Sequence, residues 1–316
     1  MPTEPSTPHQ QGLVVASYGR HVVVEAPDGS RRICQPRGKK NQALTGDNIL
    51  WSTPLAALAS PDAEGAIEQI LPRRNLFYRQ DDVRTKAFAA NIDQVLIWLA
   101  AEPEFSYQLL GRALIAAEAA GITPLIVLNK ADLSTAHAQG WHRLVPYHTM
   151  GYEVLGISLL HDHAGHDLQR LQAALQNKKT LVMGPSGSGK STLINRLLPD
   201  ANVQTNAISR ALNSGKHTTT ATVLYWVDRA AGTAVIDSPG FQEFGIRHIS
   251  ARELPGYMPD IAAHTGQCRF HNCTHLHEPG CQVLAAMNLP LEQGGIAPQR
   301  HLLYAQLHAE LSQARY

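Results

Sequence analysis

The sequence predicts a multidomain chain: a small N-terminal β-barrel, a central α/β domain on a largely parallel sheet, and a C-terminal metal-binding segment with a helical tail. Three observations predict it. Short strand-like runs with turn signals fill the first quarter of the chain, strand and helix patterns alternate from Ile92, and after Gly240 the strands give way to a stretch rich in His, Cys, Gly and Pro. At 316 residues the chain is long enough for about two or three domains. The expected divisions are a flexible tail over 1–10, a barrel over 11–80, an α/β domain over 81–247 and a metal-binding and helical domain over 248–316.

The barrel rests on strand-like runs at Leu13–Ser17, His21–Glu25, Arg31–Gln35, Ile49–Ser52 and Ile67–Leu71, with Asp28-Gly29 as a hairpin turn between the second and third. Such short strands suit an OB-type barrel, and an unspecialised β-module fits the same pattern. The opening residues carry prolines and no apolar run, so they lack the core of a signal peptide. Apolar runs such as Val95–Ala101 fall far short of the about 20 residues that span a bilayer. No membrane span and a cytoplasmic location are therefore expected. A net charge of +1 gives the whole molecule no pull toward nucleic acid, so any such attraction has to come from local patches.

In the α/β region, Val95–Leu99 reads as a buried strand, Tyr107–Ala120 as a helix and Pro124–Leu128 as a strand. Val154–Ile157, Thr180–Met183, a helix after Gly189, Val223–Val227 and Thr233–Ile236 continue the series. The tail from Pro298 to Arg315 has apolar residues at helical spacing.

Gly184-Pro185-Ser186-Gly187-Ser188-Gly189-Lys190-Ser191, between a strand and a helix, fits Gly-x-x-x-x-Gly-Lys-Ser/Thr at every fixed position. Its glycines let backbone N–H groups cradle phosphates at a helix N-terminus, where Thr192 also lies. Lys190 is expected against the β- and γ-phosphates, and the Ser191 hydroxyl on Mg²⁺.

Asn129-Lys130-Ala131-Asp132 closes the strand at Leu128. A carboxylate at Asp132 can accept from both N1–H and the 2-amino group of guanine, a donor pair that adenine lacks. Lys130 would lie along the base, and Asn129 would tie this loop to the phosphate loop. Ser158, after the next strand, is placed either to offer its backbone N–H to guanine O6 or to serve as an ordinary strand-end serine. Asp237-Ser238-Pro239-Gly240 follows a strand as Asp-x-x-Gly does in GTPases, with Asp237 oriented toward Mg²⁺ and the Gly240 N–H toward the γ-phosphate. The run Gly215-Lys216-His217-Thr218-Thr219-Thr220 supplies switch hydroxyls, Thr219 among the candidates for Mg²⁺. Base motif, phosphate loop and Asp-x-x-Gly occur in that order, so the central domain reads as a circularly permuted P-loop GTPase.

Cys268, Cys273, Cys281 and a histidine provide the soft donors of a closed structural zinc site, with His271, His275 and His277 all near enough in sequence to serve. Clustering of three of the four cysteines favours metal over disulfides. Arg31, Arg32, Arg37, Lys39 and Lys40 form a basic run on the barrel, either an RNA-binding face or a solvated charged edge.

Together these motifs, in this order and over nearly the whole chain, resemble the bacterial small-ribosomal-subunit biogenesis GTPases, the RsgA (YjeQ) family. The resemblance implies an OB-type barrel, GTP hydrolysis stimulated by the small ribosomal subunit late in its maturation, rRNA contacts, and a monomer. It selects His275 as the fourth zinc ligand. It also implies that His248, downstream of Gly240, positions the attacking water. Phe241 stands where many GTPases have glutamine, and Gly187 stands where potassium-activated ones have asparagine. A GTP-binding RNA scaffold without turnover and a P-loop kinase are the competing readings.

Overall fold

The computed structural model describes residues 9–36, 42–53, 64–162, 164–199, 221–238 and 244–313. Strands β1 (Gln10–Tyr18), β2 (His21–Glu25), β3 (Arg31–Pro36), β4 (Asn48–Ser52) and β5 (Gly65–Ile70) pair in the order β1-β2-β3-β5-β4, and β4 returns to β1. The five strands thus close a barrel, with β3 and β5 parallel and the other pairs antiparallel. Alternation of Val14, Val22, Val24, Ile49, Trp51 and Ile67 toward the inside fills it. The β2–β3 turn is Asp28-Gly29 as expected: Asp28 accepts from the Ser30 N–H and hydroxyl, and Gly29 takes φ +88°.

The central sheet runs β10 (Glu153–Gly156), β9 (Thr123–Asn129), β8 (Gln94–Ala100), β11 (Lys179–Met183), β13 (Thr233–Asp237) and β12 (Thr222–Asp228). All neighbours are parallel except β12 against β13. Every residue of β8 is buried, because helices cover both faces of the sheet. Those helices are α1 (Tyr107–Ala119), α2 (Ser134–Thr149), α3 (His166–Leu175) and α4 (Lys190–Leu197).

β12 also pairs antiparallel with β1, matching Ala16 with Val223 and Ser17 with Thr222, so barrel and central sheet are continuous. The Thr45 hydroxyl donates to the Thr222 carbonyl at 2.8 Å across the same seam. Buried Glu25 accepts from the Trp226 indole at 2.8 Å and pairs with Arg229 at 3.1 Å.

A hairpin of β6 (Leu76–Gln80) and β7 (Thr85–Ala90) follows the barrel. The division expected between residues 80 and 81 falls inside this hairpin. Its ladder hides behind Arg79, Asp81, Asp82, Arg84 and Lys86, which break the apolar alternation that marks a strand. The chain leaving residue 244 pairs with it: Gln80 N–H donates to the Gly245 carbonyl and Arg247 N–H to the Gln80 carbonyl.

The C-terminal part carries short α5 (Pro259–Thr265), α6 (Gln282–Ala286) and the longer α7 (Pro298–Leu311). α7 docks on α1 where Gly111 leaves room for Leu303; a Cβ there would stand 2.2 Å from Leu303 Cδ2. Arg112 of α1 pairs with Glu310 of α7. Arg300 and Asp260 form a fully buried bidentate pair at 2.8 Å, joining α7 to α5. Among the described residues no helix is long and apolar enough to cross a membrane.

Candidate nucleotide site and metal centre

The phosphate loop leaves the C-terminal end of β11 and enters α4, beside the end of β9 that carries Asn129. Loops at the carboxyl ends of parallel strands are where α/β sheets bind ligands. Gly184 sits against the backbone of Trp98, where a Cβ would lie 2.1 Å from the carbonyl oxygen. Gly189, at φ +95°, caps α4 and leaves no space for a Cβ beside Asn129 Nδ2.

One acceptor joins the two motifs. The Ser188 carbonyl receives the Trp98 indole N–H at 2.9 Å and the Asn129 amide at 3.2 Å, the latter across 59 positions of sequence. Asn129 Oδ1 in turn accepts the Leu159 N–H at 3.3 Å, and the Ala131 N–H donates to the Ile157 carbonyl at 3.0 Å. Base motif, phosphate loop and the Ile157–Leu159 segment are thereby one connected unit.

Within it, Lys190 donates to the carbonyls of Gly184 and Pro185 at 2.7 and 3.1 Å. Burial pulls its ammonium below the ordinary lysine range, against the favourable charge of Asp237. Burial likewise pushes the Asp237 carboxyl up, with Lys190 opposing. Each charge moderates the cost of burying the other. Ser191 is exposed at the head of α4, next to half-buried Thr192. Hydroxyl and carboxylate oxygens are the hard donors that suit Mg²⁺. Gly240 and Thr219 lie outside the described residues.

Asp132 carries two partners. The Ser158 hydroxyl donates to Oδ1 at 2.5 Å, and His161 Nδ1 stands 3.3 Å from Oδ2. The Ser158 bond is the main cause holding this carboxyl below the usual carboxylate range, with the charge of His161 acting the same way. Lys130, at φ +67°, reaches the Glu102 carbonyl. Ser158 differs from expectation: its backbone N–H donates to Asp167 at 2.9 Å and so is taken, while its hydroxyl braces Asp132. Asp167, in the first turn of α3, is the carboxylate that claims that N–H.

His248 contacts the hairpin. Its ring lies 4.3 Å from that of Tyr78, its buried Nδ1 has no hydrogen-bond partner among the described residues, and burial holds its pKa below the ordinary histidine value. Of the basic run, Arg31 is paired with Glu25 at 2.8 Å and Arg32 is half-buried; Arg37, Lys39 and Lys40 lie outside the described residues.

The Cys268, Cys273, His275 and Cys281 ligand atoms all lie within 4.8 Å of one another. Cys268 Sγ is 3.5 Å from His275 Nδ1, Cys281 Sγ is 3.6 Å from it, and the two sulfurs are 3.9 Å apart. With Zn–S about 2.3 Å and Zn–N about 2.0 Å, a tetrahedron has edges of roughly 3.4 to 3.8 Å, so these residues fit one zinc ion. His271 and His277 are not in the cluster. The knuckle is pinned to α7 by Tyr304 donating to the Thr274 carbonyl at 2.7 Å and by His301 Nε2, 2.8 Å from the His275 carbonyl.

Sequence reasoning missed Trp98, His161 and Asp167. Trp98 looks like any apolar residue of a buried strand. Asp167 and His161 sit in a polar stretch without periodicity.

Comparison with known proteins follows the same lines. A family model described as RsgA GTPase matches residues 70–247. The small ribosomal subunit biogenesis GTPase RsgA of Variovorax paradoxus is 57% identical over 305 residues, covering 96% of this chain and 93% of its own. That of Paraburkholderia xenovorans is 48% identical over 316 residues, covering 99% and 96%. Among solved structures, YjeQ from Thermotoga maritima superposes with a TM-score of 0.71 at 28% identity, over 97% of this chain and all of its own. YloQ, described as a circularly permuted GTPase, gives 0.68 at 26% identity, over 98% and 97%.

Proposed function

This chain belongs to the RsgA GTPase family and is a GTP-hydrolysing P-loop enzyme, and from that premise we propose that it acts in the cytoplasm late in small-ribosomal-subunit maturation, with the subunit stimulating hydrolysis. The names of its relatives, small ribosomal subunit biogenesis GTPases, support the subunit as partner. The observation that carries the guanine-nucleotide part is the shared Ser188 carbonyl, which joins the Asn129 loop to the phosphate loop and so supports Asp132 and Lys190 serving one nucleotide.

In this reading Asp132 takes the guanine edge, braced by Ser158, and Lys130 lies along the base. The backbone N–H groups of residues 184–192, Pro185 having none, cradle the phosphates, and Lys190 leaves its loop carbonyls to meet them. Ser191 and Asp237, with Thr219 as a further candidate, would hold Mg²⁺, which supplies charge neutralisation at the phosphates when bound. The Gly240 N–H would sense the γ-phosphate. His248 is the proposed water-positioning residue, supported by its place downstream of Gly240 and by an Nδ1 that has no partner among the described residues. Zinc, held by Cys268, Cys273, His275 and Cys281, would be structural, since four protein ligands leave no open position. The barrel's basic run and the zinc segment are proposed to contact rRNA, and the protein to work as a monomer.

The test is GTP turnover with and without purified small subunits. A many-fold rise at saturating subunit is expected; an unchanged rate would remove the ribosomal reading. Absence of multiple turnover would favour a GTP-binding scaffold.

A further inference from the structure

His161 lies beyond the base motif in sequence, yet its Nδ1 comes to 3.3 Å from Asp132 Oδ2. The other carboxylate oxygen is taken by the Ser158 hydroxyl at 2.5 Å. Guanine must bring two donors, N1–H and the 2-amino group, to these same two oxygens. The Ser158 hydroxyl comes from a residue held on both sides: its N–H is bonded to Asp167, and the next residue's N–H faces Asn129. His161 has a side chain that is 59% exposed, against 25% for Asp132, so solvent is open to a displaced ring.

We propose that His161 is a resident competitor for the guanine edge of Asp132: the imidazole holds Oδ2 and must leave for guanine to bind. The inference rests on the guanine-nucleotide reading and deepens it. It makes His161 a determinant of nucleotide affinity and exchange that acts through Asp132. Such an arrangement gives the Asp132 carboxylate a partner that guanine has to displace, and sets a ceiling on affinity that favours release of the spent nucleotide.

The experiment measures GDP and GTP dissociation constants and association rates on the full chain for wild type, His161→Ala and His161→Asn. Asparagine places an amide nitrogen where imidazole has Nδ1, so it keeps the donor; alanine removes it. Alanine is expected to tighten both nucleotides roughly two- to fivefold, the scale of an exposed charge-assisted contact, and to speed association, while asparagine stays near wild type. A residue with a merely structural role would weaken binding when truncated, not strengthen it. Unchanged or weaker binding by the alanine variant overturns the proposal. Failure of the wild type itself to prefer guanine over adenine nucleotides would instead count against the parent reading, so the two failures are distinct.

Discussion

The indole N–H of Trp98 donates to the Ser188 carbonyl at 2.9 Å, so the central strand of the sheet grips the phosphate loop from behind. Trp98 is fully buried, and its own carbonyl is the atom against which Gly184 packs. One residue thus sets both ends of the loop.

Gly184→Ala should therefore be severe. Its Cβ would meet the Trp98 backbone oxygen at 2.1 Å, and backbone cannot step aside as a side chain can. Overpacking of this kind costs about 1 to 3 kcal/mol, so the chain should stay folded at ambient temperature while nucleotide binding is lost. Circular dichroism and a fluorescent-GDP titration check both parts; retained GDP affinity would contradict the loop geometry.

Asp132→Asn should trade specificity. The amide keeps one acceptor and gains a donor, leaving a guanine N–H unpaired while suiting the extra carbonyl of xanthine. Guanine-nucleotide affinity is expected to fall about a hundredfold, with xanthine nucleotides gaining, as measured by competition.

How much of this was legible in advance depended on local pattern. The barrel strands were readable because one buried face repeats at the period of a strand, the central strands because burial on both faces leaves continuous apolar runs, and the phosphate loop and Asn-Lys-x-Asp because their chemistry fixes residue types at fixed spacing. α2 was not readable: its segment is polar, with Gly140 and Pro146 inside, and tertiary packing against β9 and β10 outweighs propensity. Nor was the use of the Ser158 N–H, which depends on Asp167 nine positions on, brought back only by the turn into α3.

His248 yields a pH prediction. Burial holds its imidazole below the ordinary 6.5, so below that pH the unfolded chain binds more protons than the folded one. Stability from keeping this ring neutral is present above the unfolded value and is lost as pH falls through the folded one. For the zinc-loaded protein, His248→Gln should flatten the loss of stability between about pH 7 and pH 5 seen by urea denaturation. If His248 also positions water, kcat should drop by about 10² to 10⁴ with KM for GTP little altered.

Zinc removal should loosen the C-terminal part first. The knuckle is tied to α7 through Tyr304 and His301, and α7 to α1 through Leu303 and Arg112, so chelation should expose α7 amides to exchange before those of β8. Metal analysis should give one zinc per chain, and Cys281→Ser should reproduce the chelated state. Equal protection with and without chelator would show that the helix docks without the metal.

The ladder between β1 and β12 has a consequence for any attempt to divide the molecule. Produced as separate polypeptides, the N-terminal unit would bare one edge of β1 and the remainder one edge of β12, each a row of unpaired amides and carbonyls with buried valines nearby. Two such fragments mixed in one tube have matching templates, so reassociation by strand addition is the expected outcome, and each fragment alone is a candidate for self-association. A cut in the connecting chain would not by itself set the two halves free.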